Sequence, residues 1–167
     1  MELSPYLILS HAHSINRWLV LITLLWAIAS AFSTRGTMNA ADIEGGKGWL
    51  PRGALPAFIT THVQLLLGLI LYLGAVAGWG TVGSPYVVMN KEAWESAGGE
   101  VLRFYSVTHF SYMIVAVLVI TVGYMVAKRR STSAKTAAWI LYSYVLGLLI
   151  ILFSIPWPWR ALQGGWY

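Results

Sequence analysis

The 167-residue chain contains no cysteine. That excludes disulfides, thiolate metal sites, iron–sulfur ligation and covalent haem attachment through a C-x-x-C-H motif. Any metal chemistry therefore rests on histidine, methionine or carboxylates. Charge is scarce as well: 10% of the residues are charged and 57% are hydrophobic, which is too little polar surface to clothe a soluble domain. Acidic residues are the rarest class, six against eleven basic ones, and none falls inside a long apolar run. Phosphate-binding loops, dinucleotide-binding glycine motifs, H-E-x-x-H and hydrolase signatures are all missing, so no soluble-type catalytic machinery is visible.

What remains is a set of long apolar runs, at 6–32, 54–79, 101–127 and 136–155. A helix needs about 20 residues to cross a hydrocarbon core of roughly 30 Å, and each run meets that length. The pattern predicts an all-α integral membrane four-helix bundle, one membrane domain over 1–167, with the lipid bilayer as its first partner. The segment before the first run carries Glu2 and lacks the basic start of a signal peptide, so it reads as part of a retained first helix. Connectors 33–53 and 80–100 are rich in Gly, Pro and charge, as water-facing loops are. The short turn 128–135 makes the last two helices antiparallel neighbours.

The basic residues set the orientation. Arg35, Lys47 and Arg52 flank the first loop, and Lys128, Arg129, Arg130 and Lys135 mark the third. On the opposite side Lys91, Arg103 and Arg160 are diluted by Glu92, Glu95 and Glu100. The positive-inside rule then puts both termini on the outer, periplasmic side of a bacterial cytoplasmic membrane. The sequence pI of about 9.6 is accounted for by this topology, and no nucleic-acid surface is inferred from it. Trp79, Trp139, Trp157, Trp159 and Trp166 lie near run ends as interfacial anchors. The segment Ile155-Pro156-Trp157-Pro158-Trp159-Arg160 cannot continue as a regular helix and reads as an outer cap. Gly68, Gly74, Gly78, Gly123 and Gly147 permit close approach of backbones or of a flat ligand.

Ionisable side chains inside a membrane are costly, so each is a functional hypothesis. His13 lies seven residues after Tyr6, and His109 eight after Val101; at 1.5 Å per residue both imidazoles sit roughly 10 Å in from the outer face. His62 belongs to the inner half, which fits a single three-histidine metal site less well. Two level imidazoles on facing helices are what a b-type haem requires. The expectation is haem b with His13 and His109 as axial ligands of the iron. Arg103 is placed for a propionate, and Arg17, on the same face as His13, for a propionate or a quinone oxygen. The competing reading is that these histidines hydrogen-bond across helices as polar glue. His11 points away from His13 and is assigned to the interface. Met113 shares the face of His109 and reads as core. Tyr105 and Tyr112 flank His109, either orienting its ring or packing. Gln64, Gly68 and Tyr72 form a stripe at i, i+4 and i+8 that bounds either a pocket or an interface.

Four stretches carry a resemblance: His13-Ser14-Ile15-Asn16-Arg17-Trp18, His62-Val63-Gln64-Leu65-Leu66-Leu67-Gly68, Thr108-His109 and Ser154-Ile155-Pro156-Trp157-Pro158. Together they resemble a family of small bacterial four-helix membrane proteins labelled cytochrome-b-like. The bundle is also similar, in architecture only, to the haem-bearing anchors of succinate dehydrogenases. The resemblance implies membrane electron transfer with His13, His62 and His109 at the family's histidine positions. That raises His62 as the alternative axial ligand or as part of a quinone site. The expected function is a membrane b-type cytochrome moving electrons between quinone or quinol and a partner redox protein, as a subunit of a larger respiratory complex. Two rivals stand beside it: a haem-free structural subunit of a respiratory or photosynthetic assembly, and a small transporter or channel.

Overall fold

The computed structural model describes residues 5–36, 50–77, 91–95, 99–130 and 133–157. The described residues are helical almost throughout, in the order α1 (Pro5–Gly36), α2 (Ala54–Val76), the short α3 (Lys91–Glu95) and α4 (Gly99–Arg103), a π-helical turn (Phe104–His109), α5 (Phe110–Lys128) and α6 (Ser133–Ser154). Four segments are long and apolar enough to cross a membrane: Pro5–Thr34, Ala54–Val76, Gly99–Lys128 and Ala134–Ser154. The third joins α4, the π turn and α5 into one span. The positions 78–90, 96–98 and 158–167, which include Gly78, Trp79, Trp159, Arg160 and Trp166, lie outside the described residues, as does Lys47.

The distribution of side-chain size is that of a bundle in lipid. The residues with no exposure at all include Ala27, Ala31, Ala54, Ala57, Ala116, Ala127 and Ala137, whereas Ile15, Ile22, Phe32, Leu66 and Tyr142 are each at least 59% exposed. In water an outer skin of this kind would drive aggregation. In a bilayer there is no gain from burying leucine, and small residues inside let the backbones approach.

Helices α5 and α6 form the tightest pair, as the short turn between them predicts, and α1 packs on both α2 and α6. Small residues make the α5–α6 contact possible. A Cβ on Gly123 would overlap the side chain of Ser143, and one on Gly147 would lie 2.6 Å from Ile120 Cγ1. Helix α2 starts from Gly53, whose φ of 82° is left-handed, and its bare Cα sits where a Cβ would meet Ala27 N at 2.9 Å. The carbonyl of Ala54 takes the hydroxyl hydrogen of the fully buried Tyr144 at 2.8 Å, tying α2 to α6. Within the spans, hydroxyls satisfy themselves on the preceding turn, as Thr61 does on Ala57 O and Ser154 on Ile150 O. Polar atoms thereby need no water.

Helix α6 stops at Ser154, one residue short of the expected end. The turn that follows is closed by Trp157, whose indole N–H donates to Leu152 O at 2.9 Å. Trp139 is exposed, with the Arg130 guanidinium 5.2 Å from its ring centroid. The second connector, expected as a loop over 80–100, contains the helical turn α3 with an exposed Lys91–Glu95 pair at 3.7 Å.

Candidate functional site

A cavity of about 220 Å³ opens between α1, α2 and the third span, with Ile151, Ile155 and Pro156 of the fourth segment closing it from behind. His13, Ser14 and Arg17 line it from α1; Thr61, Gln64, Gly68 and Tyr72 from α2; Tyr105, His109 and Met113 from the third span. The stripe Gln64, Gly68 and Tyr72 is thus a pocket wall.

His13 and His109 face each other across this space, ring centroids 6.4 Å apart and planes inclined at 72°. Arg17 lines the same cavity, its guanidinium carbon 5.5 Å from the Trp18 ring centroid. His62 and Arg103 are not among the lining residues. Arg103 is exposed at the end of α4. His62 sits in the α2–α5 seam with Nδ1 at 2.7 Å from Phe58 O and Nε2 at 3.2 Å from Thr121 Oγ1, its ring tilted at 37° against that of Phe58, which stacks on Tyr124. No group of three or more metal-ligating His, Cys, Asp or Glu occurs among the described residues.

His109 ends the π-helical turn Phe104–His109. A π turn holds one residue more than an α turn and is found preferentially at functional sites. Its loosened carbonyl at Ser106 accepts the Tyr72 hydroxyl at 3.2 Å, and the Tyr72 ring stacks on Phe110 at 4.4 Å. The His109 ring is then fixed from the other side. Its Nδ1 lies 2.9 Å from Ser154 O, a carbonyl that can only accept, so Nδ1 carries the hydrogen and Nε2 keeps its lone pair. Such a backbone partner sets the tautomer of a ligating histidine.

His13 is held by an amide pair whose hydrogen-bond directions are all determined. Asn16 Nδ2 donates to Thr60 O at 3.0 Å and to Gln64 Oε1 at 2.8 Å. Gln64 Nε2 lies 3.1 Å from both His13 O and His13 Nε2. Because the two carbonyls can only accept, both amides are fixed in orientation, and His13 Nε2 must accept as well. The hydrogen of the neutral ring therefore sits on Nδ1, which is buried without a partner. An orphaned polar group of this kind costs about 1–3 kcal/mol. Beside it the bare Cα of Gly68 makes room for the ring: a Cβ there would lie 3.1 Å from His13 Cε1 and 3.6 Å from Nδ1.

Several of these partners are not visible as site residues in the sequence. Asn16 is a buried amide in an apolar helix, and that placement alone flags it. The roles of the Ser154 and Ser106 carbonyls belong to the backbone and leave no trace in residue type.

The ring separation matches a bis-imidazole metal group, and of the two imidazoles only His109 has a nitrogen free to ligate in this arrangement. With metal–nitrogen bonds of about 2 Å and a ring nitrogen about 1 Å from its centroid, two imidazoles on one metal stand about 6 Å apart, centre to centre. His109 Nε2 offers a lone pair, and the missing Cβ at Gly68 is what lets the His13 ring lie against α2. The volume is below the roughly 300 Å³ at which pockets for drug-sized ligands begin, so a porphyrin requires α2 to draw back from α5, a looser seam than α5–α6 or α1–α2. No family model, curated protein or solved structure matches the chain.

Proposed function

We propose that the chain is a b-type membrane cytochrome of the small cytochrome-b-like kind, with His13 and His109 as the axial pair and His62 outside the site. The observation that carries this reading is the 6.4 Å separation of two imidazoles from different spans over a shared cavity. Arg17 supplies the positive partner for a propionate, and Arg103 a second at the outer end of the third span. Bound haem would supply one-electron redox chemistry. The protein's part is to orient His109 through Ser154, to shelter the site from water with Tyr72, Phe110 and Ile151, and to seat the His13 ring against Gly68. Both termini face outward from a bacterial cytoplasmic membrane, which puts the site in the outer half. There it exchanges electrons with a quinone or quinol in the lipid and with a partner redox subunit of a larger complex.

The test is a dithionite-reduced minus oxidised spectrum of the purified protein, with a pyridine haemochrome assay for stoichiometry. The expected result is b-type bands that vanish in His109→Ala, weaken in His13→Ala and persist in His62→Ala. Bands lost in His62→Ala but kept in His13→Ala would reassign the axial pair. A natively prepared, folded chain without haem would sink the cytochrome reading and favour a structural subunit.

A second reading is favoured by the cavity's size and lining. About 220 Å³ bordered by His13, Arg17, Gln64, Tyr72 and Tyr105 suits a quinone headgroup. Saturable quinone binding by haem-free protein, abolished in Arg17→Leu, would support it.

A further inference from the structure

The two facing histidines are held in opposite ways. His109 spends its hydrogen on Ser154 O and keeps Nε2 open, whereas His13 has Nε2 occupied by the Gln64 amide and its hydrogen on Nδ1. While that amide is in place neither nitrogen of His13 has a lone pair to give. We infer that Gln64, itself oriented by Asn16, is a latch on His13, making His109 the standing ligand of the site and His13 the conditional one. This rests on the cytochrome reading for the identity of the group bound, and on the hydrogen-bond directions alone for the latch.

The movement that opens the latch is small. A half-turn of the His13 ring about Cβ–Cγ exchanges Nε2 with Cε1 and Nδ1 with Cδ2. The orphaned Nδ1 then moves off its buried position, and Nε2 takes the place of Cε1 beside Gly68, a position that the missing Cβ lets a ring atom occupy. One hydrogen bond breaks, that from Gln64 Nε2 to His13 Nε2, and the freed Nε2 lone pair would be available to a bound metal; no proton leaves the ring, because Nδ1 keeps it. With the latch closed, bound haem would be held by His109 alone and would take up a small neutral ligand. Gln64 is thus a positioning residue: it touches the ligand's ligand.

The latch can be read without any cofactor. Nitrogen-15 NMR of histidine-labelled full-length protein in nanodiscs, assigned with His→Gln variants, reports which ring nitrogen carries hydrogen. The expected result is the Nδ1–H form at His13, converted to the Nε2–H form in Gln64→Glu, whose carboxylate can only accept, with His109 unchanged in both. An Nε2–H form at His13 in the unaltered chain would overturn the latch. Hemin titration then tests the consequence. The wild type is expected to show a substantial high-spin, carbon monoxide-reactive fraction that falls at least threefold in Gln64→Leu, while His13→Ala is high-spin throughout. A wild type wholly low-spin and unaffected by Gln64→Leu would overturn the conditional ligand. Failure of hemin to bind at all would remove the cytochrome reading and leave the tautomer result to decide the latch by itself.

Discussion

The two seams made by the third span are built on opposite principles. Against α6 it is sealed by missing side chains: Gly123 accepts Ser143, Gly147 accepts Ile120, and Ala116, Ala127 and Ala137 have no exposure. Against α2 it is spanned by a few large or polar groups, Tyr72 on Phe110, Phe58 on Tyr124 and Thr121 to His62, with the cavity opening beside them. Glycine serves both regions but does different work in each. In the first it lets helices touch, and in the second it makes room for the His13 ring against α2. A bundle in lipid gains nothing from excluding apolar surface between helices, so a helix can be left loosely seated where a ligand is to enter and clamped where it is not.

The largest effect is expected where the packing is closest. Gly123→Val adds three carbons, the first of them already in the space of the Ser143 side chain, and overpacking of that kind should lower stability by about 3 kcal/mol, read by reversible unfolding in mixed micelles. The matching change in the other seam has the opposite signature. Gly68→Leu sets its Cβ 3.1 Å from His13 Cε1 and the rest of its side chain at the cavity wall, so the stability loss is expected to be smaller, about 1 kcal/mol, while hemin or quinone affinity falls at least tenfold. Equal destabilisation by both would erase the distinction between clamped and loose seams. Next in size is Tyr72→Phe, which keeps the stack on Phe110 and removes the hydroxyl on Ser106 O. The loss is expected to be about 1 kcal/mol, with faster amide exchange confined to the π turn as the sharper readout.

The four spans are legible in the sequence because length and apolarity alone decide them; the run 54–79, for example, starts with α2 at Ala54 and contains all of it to Val76, with 78 and 79 outside the described residues. The pairing of the last two helices follows from a short turn. The site is partly legible. Counting residues from the helix starts puts His13 and His109 at one depth, and the spacing of Gln64, Gly68 and Tyr72 puts them on one wall. The π turn is not legible, since an extra residue in a helical turn is a property of the backbone hydrogen-bond register and no residue type demands it. It rotates His109 relative to a regular helix, so the facing of Tyr105 and Tyr112 could not be assigned from spacing: Tyr105 lines the cavity and Tyr112 is exposed against Phe153. Asn16 is readable as an oddity but not as a partner of Gln64, because that contact joins residues 48 apart in sequence.

The smallest effect tests how loose the α2–α5 seam is. Phe58 O can only accept, so His62 Nδ1 carries a hydrogen and Nε2 of the neutral ring must draw one from Thr121. That hydroxyl has a single hydrogen, and Val117 O lies nearer to it, at 2.7 Å against 3.2 Å for the imidazole. The interhelical bond is therefore shared and weak. Thr121→Val keeps the shape, and its cost is expected to be about 0.6 kcal/mol, the average for hydrogen bonds between membrane helices, by the same micelle unfolding assay. A loss above about 2 kcal/mol would mean that His62 holds hydrogens on both nitrogens and that Thr121 is the acceptor of the second. Removing it would then strand a buried donor, and the seam would be pinned at His62.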